Sequence, residues 1–219
     1  NQCMKSYFYR SISRLLLWGF DLLYHQFSFL YDFAAWLVSA GHWNEWIQAA
    51  GKRVQTGLLL DIGCGKGILL AQAASMNIQA IGLDESPYML RYSLAQLQSI
   101  SGALVRGIGQ TLPFKSGCFQ TITATFPAPY LFETATLEEI NRIMISDGNL
   151  IILLTANVTG STLHERLIRC FTGILGWGLM PASSVNKILI PLIQAGFDAR
   201  IEMCEIPDSR LVLIIGHPV

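Results

Sequence analysis

Residues 58–70 read LLLDIGCGKGILL. No other stretch restricts the fold as much. An apolar run ends in Asp61 and Ile62, glycines follow at alternate positions 63, 65 and 67, and a second apolar run begins at Ile68. A short apolar run that breaks into glycines predicts a buried strand entering a tight turn, followed by a helix. Glycines at such a turn let the backbone approach a ligand closely. In open α/β sheets, ligands sit beyond the carboxyl ends of the strands, at helix N-termini.

The remaining sequence repeats the alternation. The pattern predicts strands at 57–62, 78–83, 103–106, 119–125, 149–155, 198–205 and 210–216, with helices at 68–75 and 87–98. Ser86-Pro87 opens the second of these helices. Thr136-Leu137-Glu138-Glu139 reads as a capping box for a helix through 145, after which Asp147-Gly148 turns into the next strand. A second box, Thr162-Leu163-His164-Glu165, starts another helix. Ser183 or Ser184 caps a helix running to 195 with Pro191 inside it. Alternating strands and helices imply a parallel sheet covered on both faces. The turn Pro207-Asp208-Ser209 is too short for a crossover, so the last two strands pair antiparallel. The expected fold is α/β, Rossmann-like and doubly wound, with a mostly parallel seven-stranded sheet and an antiparallel last strand. Residues 4–50 read instead as helices, with stops at Gly41 and Gly51. This gives an N-terminal helical cap, 1–51, and a ligand-binding domain, 52–219, forming one compact unit.

Composition narrows the function classes. Formal net charge is zero, which gives no electrostatic footprint for nucleic acid. The chain is 52% hydrophobic and only 14% charged, so either a large fraction is core or some apolar surface meets a greasy partner or ligand. The five cysteines are scattered without a CxxC pair and the four histidines lack metal-ligand spacing, so no metal is expected. Scattered cysteines, no long apolar run and no leader pattern suit a cytoplasmic setting. Lys5, Arg10 and Arg14 beside apolar residues allow a peripheral membrane contact, which is less favoured than a packed helix. The sequence leaves the oligomeric state unknown.

The glycine spacing excludes two common phosphate loops. A GxGxxG counted from Gly63 requires glycine at 68, which is Ile, and no Ser or Thr follows Lys66 as a GxxxxGK[ST] loop requires. Asp61, two residues before the first glycine, suits a cation better than a phosphate, although it could also satisfy amides of its own loop. Asp84 closes the next strand, where a carboxylate can accept hydrogen bonds from ribose hydroxyls. A cationic ligand with a ribose and no phosphate is S-adenosylmethionine.

With these residues in view, the sequence resembles the class I S-adenosylmethionine-dependent methyltransferases, in particular the small-molecule enzymes called methyltransferase type 11. The resemblance runs from Gly57 to Leu154 through LLLDIGCGKG, GLDESPYML, GIGQTLPF, TFPAPY and EEINRIMISDGNLIIL, in order. It implies S-adenosylmethionine as cofactor, with S-adenosylhomocysteine as product. By position it implies a cofactor site of Asp61, Gly63, Cys64, Gly65, Gly67, Asp84, Glu85, Met89, Gly109, Gln110 and Phe126. Four places depart from the family: Ile108 stands where an acid bonds the adenine amino group, Gln120 where Asp is common, Ser146-Asp147-Gly148 where Pro-Gly-Gly is usual, and Glu85 where an apolar residue is common. Tyr31-Asp32 resembles a Tyr-Asp pair of relatives, and an ordinary helix-face tyrosine fits as well.

The implied reaction is in-line methyl transfer to an apolar or aromatic small molecule. The acceptor would lie between the N-terminal helices, rich in Trp18, Phe20, Phe27, Phe29, Trp36, Trp43 and Trp46, and a segment 157–182 shaped like a lid. Tyr130, Glu133, His42 and His164 are candidate bases, and spacing selects none as catalytic. Two other readings stay open at this point: a catalytically silent cofactor-binding protein, and a nicotinamide-dependent oxidoreductase.

Overall fold

The computed structural model describes residues 35–97, 102–174 and 182–219. After a helical turn at 35–39, the chain forms helix α1 (Trp43–Gly51), strand β1 (Leu59–Ile62), α2 (Ile68–Ser75), β2 (Ala80–Asp84), α3 (Pro87–Gln96) and β3 (Gly102–Arg106). It continues with β4 (Phe119–Thr125), a 3-10 turn (Pro129–Phe132), α4 (Thr134–Ile143), β5 (Met144–Val158), α5 (Leu163–Ile174), α6 (Ala182–Gln194), β6 (Phe197–Ile206) and β7 (Ser209–Pro218). The calls on Lys5, Arg10, Arg14, Trp18, Phe20, Phe27, Phe29 and Tyr31-Asp32, and on residues 175–181 of the lid segment, lie outside the described residues.

The strands form one seven-stranded sheet in the order β3-β2-β1-β4-β5-β7-β6. Strands β1 to β5 pair in parallel, and β7 runs antiparallel to both of its neighbours. The expected α/β, mostly parallel sheet with an antiparallel last strand is therefore the observed one. Two apolar layers cover it. One packs α1 and α2 on the sheet through Trp46, Leu69, Leu70 and Leu153, and the other packs α4 and α6 through Leu137, Ile140, Leu192 and Phe119. The central strands are buried on both faces, which explains why Leu59, Leu60, Ile62 and Ile122 read as continuous apolar runs. The strand order reverses at β1, between β2 and β4. A crevice opens beyond the carboxyl ends at such a switch point.

Four local expectations change. Thr136 and Glu139 form no capping box: Glu133 is the N-cap of α4, without a side-chain bond. Glu139 instead accepts from the Leu112 amide at 2.9 Å and pairs with Arg142 at 2.7 Å. Arg142 also donates to the Leu112 and Phe114 carbonyls. The loop after β3 has first claim on these side chains, because its polar backbone lacks a strand partner. Asp147-Gly148 does not separate helix from strand but lies within β5. There the pairing with β4 jumps from Phe119↔Met144 to Thr121↔Asn149, and the extra residues bulge. A Cβ on Gly148 would stand 2.9 Å from the Ile145 carbonyl oxygen, so the bulge needs a glycine. Ser183 and Ser184 fall inside α6, which begins at Ala182. Gly51 is the last residue of α1 rather than the stop after it. The second box does form: the Thr162 amide donates to Glu165 at 2.8 Å and the Glu165 amide to the Thr162 hydroxyl at 3.3 Å.

Candidate functional site

At the carboxyl end of β1 the chain enters three left-handed positions, Gly63 (φ +70°), Gly65 (φ +50°) and Gly67 (φ +76°). The glycines serve different ends. A Cβ on Gly67 would stand 2.2 Å from Ser93 Oγ, so Gly67 lets α2 and α3 pack closely. Among the described residues, a Cβ on Gly65 would meet nothing nearer than the Gly63 carbonyl oxygen at 3.9 Å, so this position is uncrowded. Gly63 faces the Tyr130 hydroxyl. The less crowded part of the loop is thus Gly63 to Gly65.

Asp84, at the end of β2, ties this loop to the sheet. Its Oδ2 accepts from the Gly65 amide at 2.9 Å and its Oδ1 from the Ser86 amide at 2.8 Å. Ser86 in turn caps α3, accepting from the Met89 amide. Asp84 is buried, and a carboxylate oxygen can accept more than one hydrogen bond. Asp61 is buried as well, one strand away. Burial, with Asp84 beside it, pushes its carboxyl up to about 7, against the opposing effect of a hydrogen bond from Thr123.

Two buried acids beside bare main chain form a site short of positive charge. A phosphate there would be repelled, whereas an ammonium or sulfonium would restore Asp61 to its charged form. The residues present therefore fit S-adenosylmethionine, with uncrowded backbone at Gly65, hydrogen-bond acceptors at Asp84 and a carboxyl poised for a cation at Asp61.

The other expected positions surround this cradle. The Cys64 amide donates to the Leu83 carbonyl, and its side chain packs toward Gly82, with burial pushing the thiol well above the usual range. Its thiolate chemistry is suppressed. Glu85 is exposed, and its carbonyl accepts from Arg106. Met89 is fully buried on α3. Gly109 lies under Tyr130 and Thr136, where a Cβ would stand 2.8 Å from Thr136 Cγ2. Gln110 donates to Glu133 at 3.0 Å. Ile108, at the position of the family's adenine-binding acid, is 48% exposed.

Phe126 follows β4 in a left-handed conformation, φ +50°, which costs a bulky residue about 1–3 kcal/mol. Its ring stacks on Trp43 with centroids 4.4 Å apart, and Trp46 lies 6.0 Å away. The candidate bases separate. Burial and the acids Asp84, Glu85 and Asp61 push Tyr130 up to about 12, so it keeps its proton at neutral pH. Its hydroxyl can donate a hydrogen bond but cannot act as a base there. Glu133 holds Gln110. His42 sits between Glu45 at 2.8 Å and Glu165 at 3.3 Å, chiefly raised by Glu45. His164 stacks on Trp36 at 5.1 Å. The structure therefore joins α5 to the N-terminal helical region and leaves the two histidines occupied in that joint.

Sequence reasoning passed over Thr123. Its signal is faint: threonines at 121, 123 and 125 alternate along a strand beside the one that carries Asp61. Among the described residues no group of His, Cys, Asp and Glu is arranged to hold a metal ion, and no helix is long and apolar enough to cross a membrane.

A family model for a methyltransferase domain matches residues 60–152. Among curated proteins, the 18S rRNA (guanine-N(7))-methyltransferase bud23 of Schizosaccharomyces pombe is 34% identical over 64 residues, 29% of this chain and 24% of that protein. Among solved structures, the phosphoethanolamine N-methyltransferase 2 of Haemonchus contortus in complex with S-adenosyl-L-methionine superposes with a TM-score of 0.59 at 18% identity. That match covers 85% of this chain and 56% of the other, so the chain spans little more than half of that enzyme. A SAM-dependent methyltransferase from Methanosarcina mazei gives a TM-score of 0.54 at 16% identity, over 77% of this chain and 95% of its own. At these identities the structural likeness is one of fold. The matched domain begins at Leu60, covers the acid–glycine loop and ends in β5, so this part of the chain is similar to a methyltransferase domain, and the solved structures share its fold.

Proposed function

We propose that the protein binds S-adenosylmethionine at the β1–β2 cradle and transfers its methyl group to a small apolar or aromatic acceptor. The observation that carries this reading is the pair of buried acids, Asp61 and Asp84, bracketing the uncrowded backbone at Gly65. Asp84 would accept from the ribose hydroxyls. Asp61 would face the cationic end, the backbone of Gly63, Cys64 and Gly65 would line the turn with Gly67 packed behind it, and Glu85 would border the ribose, with the buried Met89 supporting it from α3. Gly109, Gln110 and Phe126 would close the site. With Ile108 in place of an acid, adenine would be held by backbone groups of the loop and by apolar packing.

S-adenosylmethionine supplies an activated methyl on a good leaving group. The protein's own contribution is then alignment, which for well-oriented groups is worth about 7–11 kcal/mol. Tyr130, which keeps its proton, would act as a donor over Gly63 rather than as a base. Trp43 and Phe126 support an aromatic wall for the acceptor, and the helix–strand unit from 52 onward, with the cap before it, would enclose it. No residue is assigned as catalytic base. The zero net charge favours a small molecule over RNA, although the curated relative bud23 is an rRNA methyltransferase.

Titration calorimetry with S-adenosylhomocysteine tests the site. Asp84→Ala is expected to weaken binding by about 1–3 kcal/mol, the cost of removing hydrogen bonds to a charged acceptor. Unchanged affinity would sink the assignment. A transfer assay with labelled S-adenosylmethionine on phenols, quinols and a structured rRNA fragment tests the acceptor. Labelling of RNA alone would overturn the small-molecule reading, and tight binding with no transfer to any acceptor would favour a silent binding protein.

A further inference from the structure

Strands β1 and β4 run side by side with Asp61 opposite Thr123. Both side chains are buried, at 1% and 0% exposure. The Thr123 hydroxyl lies 2.8 Å from Asp61 Oδ1 and 3.3 Å from the Leu60 carbonyl oxygen. A hydroxyl has one proton to donate, and a charged oxygen at the shorter distance is the stronger acceptor. Among the described residues, three further groups face Asp61. Asp84 comes from the end of β2 and carries the same charge, and the Cys64 thiol and Tyr130 hydroxyl keep their protons. Of these groups, the Thr123 hydroxyl is the one that favours a charged Asp61.

We propose that Thr123 is a positioning residue of the cofactor site: by donating across the β1–β4 pair it fixes the direction of the Asp61 carboxylate and favours its ionised form, so that Asp61 meets the cationic end of S-adenosylmethionine as an anion. The inference rests on the cofactor reading given above. Its consequence is proton-linked binding. In the free site, burial pushes the Asp61 carboxyl up to about 7. Below that point a protonated Asp61 must release its proton to solvent as the cation binds, so affinity rises with pH through the neutral range and levels off above it. Without the hydroxyl, the buried carboxyl holds its proton to higher pH, and the rise moves upward with it.

The test is calorimetric titration of S-adenosylmethionine into the wild type, Thr123→Val and Thr123→Ser from pH 5.5 to 9. The ligand's own ionisation is common to all three, so differences between the curves isolate the protein group. Thr123→Val is expected to bind about tenfold or more weakly at pH 7, the scale of a lost hydrogen bond to a charged group. The deficit shrinks toward pH 9, and Thr123→Ser restores the wild-type profile. A deficit for Thr123→Val that stays constant across pH, or a Thr123→Ser profile as displaced as that of valine, would reduce Thr123 to packing and overturn the proposal. Should valine fail to fold, Thr123→Ala takes its place with the same expectations. A wild type that binds neither S-adenosylmethionine nor S-adenosylhomocysteine would instead sink the cofactor reading, a separate outcome.

Discussion

The two sides of the crevice are built in different ways. The proposed cofactor side comes from two short stretches, 61–67 and 84–86, joined by backbone-to-carboxylate bonds at 2.8–2.9 Å. The proposed acceptor side is assembled from positions far apart in sequence: Trp36 on His164, Trp43 on Phe126, and His42 on Glu165. The first is held by hydrogen bonds whose partners lie two and nineteen residues apart, at the ends of neighbouring strands. The second is held by ring stacking and one histidine–carboxylate contact. A ligand common to a whole family can be met by a fixed backbone cradle, and a variable acceptor by side chains that can be exchanged without disturbing it. The contrast predicts that substitutions on the two sides separate stability, cofactor affinity and acceptor range.

The largest expected effect is at Gly67. Valine there would combine a left-handed backbone at φ +76° with a Cβ 2.2 Å from Ser93 Oγ. Strain and overpacking together predict a loss of about 3 kcal/mol or more. Denaturant unfolding of Gly67→Val measures it. A near-native midpoint would mean that α2 and α3 can part freely, and that the cradle is not the rigid half of the comparison.

Next comes the aromatic side. Trp43→Ala removes the stack on Phe126 and part of the layer under α1. A half-buried tryptophan in such a stack predicts a loss of about 2 kcal/mol in chemical unfolding. Affinity for S-adenosylhomocysteine should fall less than in Asp84→Ala. An equal or greater fall would join the two sides into one site and remove the distinction drawn between them.

How far each side is legible in the sequence follows from the same difference. The cradle could be read because strand, turn and helix are contiguous, and because an acid at each strand end needs no knowledge of packing to be noticed. Helix α2 and strand β4 match their expected bounds for the same reason. Expectations failed where a distant partner decides. Strand β5 runs to Val158, past the expected 155, because Ala156 to Val158 pair with Ser209 to Leu211 of β7. Glu139 left its expected box because the loop at Leu112 takes it. Thr123 became visible only through the β1–β4 register, which no local pattern encodes. The aromatic residues of the N-terminal region were noticed as a group, but which of them stack, and on what, depends on rings more than eighty positions away, as with Trp43 and Phe126.

The smallest expected effect is the most specific to the acceptor side. His42 bridges Glu45, ahead of it on α1, and Glu165, at the start of α5. Glu45 chiefly raises the imidazole above its ordinary value, and Glu165 is held below the usual carboxylate range, chiefly by Thr162. A histidine raised in the folded state contributes its stability fully below its unfolded value, about 6.5, and loses it as pH climbs through the folded value. The depressed Glu165 has the opposite window: its contribution is present above the unfolded carboxylate value and fades in acid as pH falls through the folded one. The histidine–carboxylate contact therefore holds best in mildly acidic solution, where the imidazole is charged and the carboxylate still ionised. His42→Gln should remove less than about 1 kcal/mol at pH 6, the scale of a partly exposed pair, and nearly nothing at pH 8.5. Thermal unfolding of wild type and His42→Gln across that range measures the difference. A gap that widens with pH, or one equally large at both ends, would show that His42 holds α5 by packing rather than by charge, and the acceptor side would then resemble the cradle in how it is fixed.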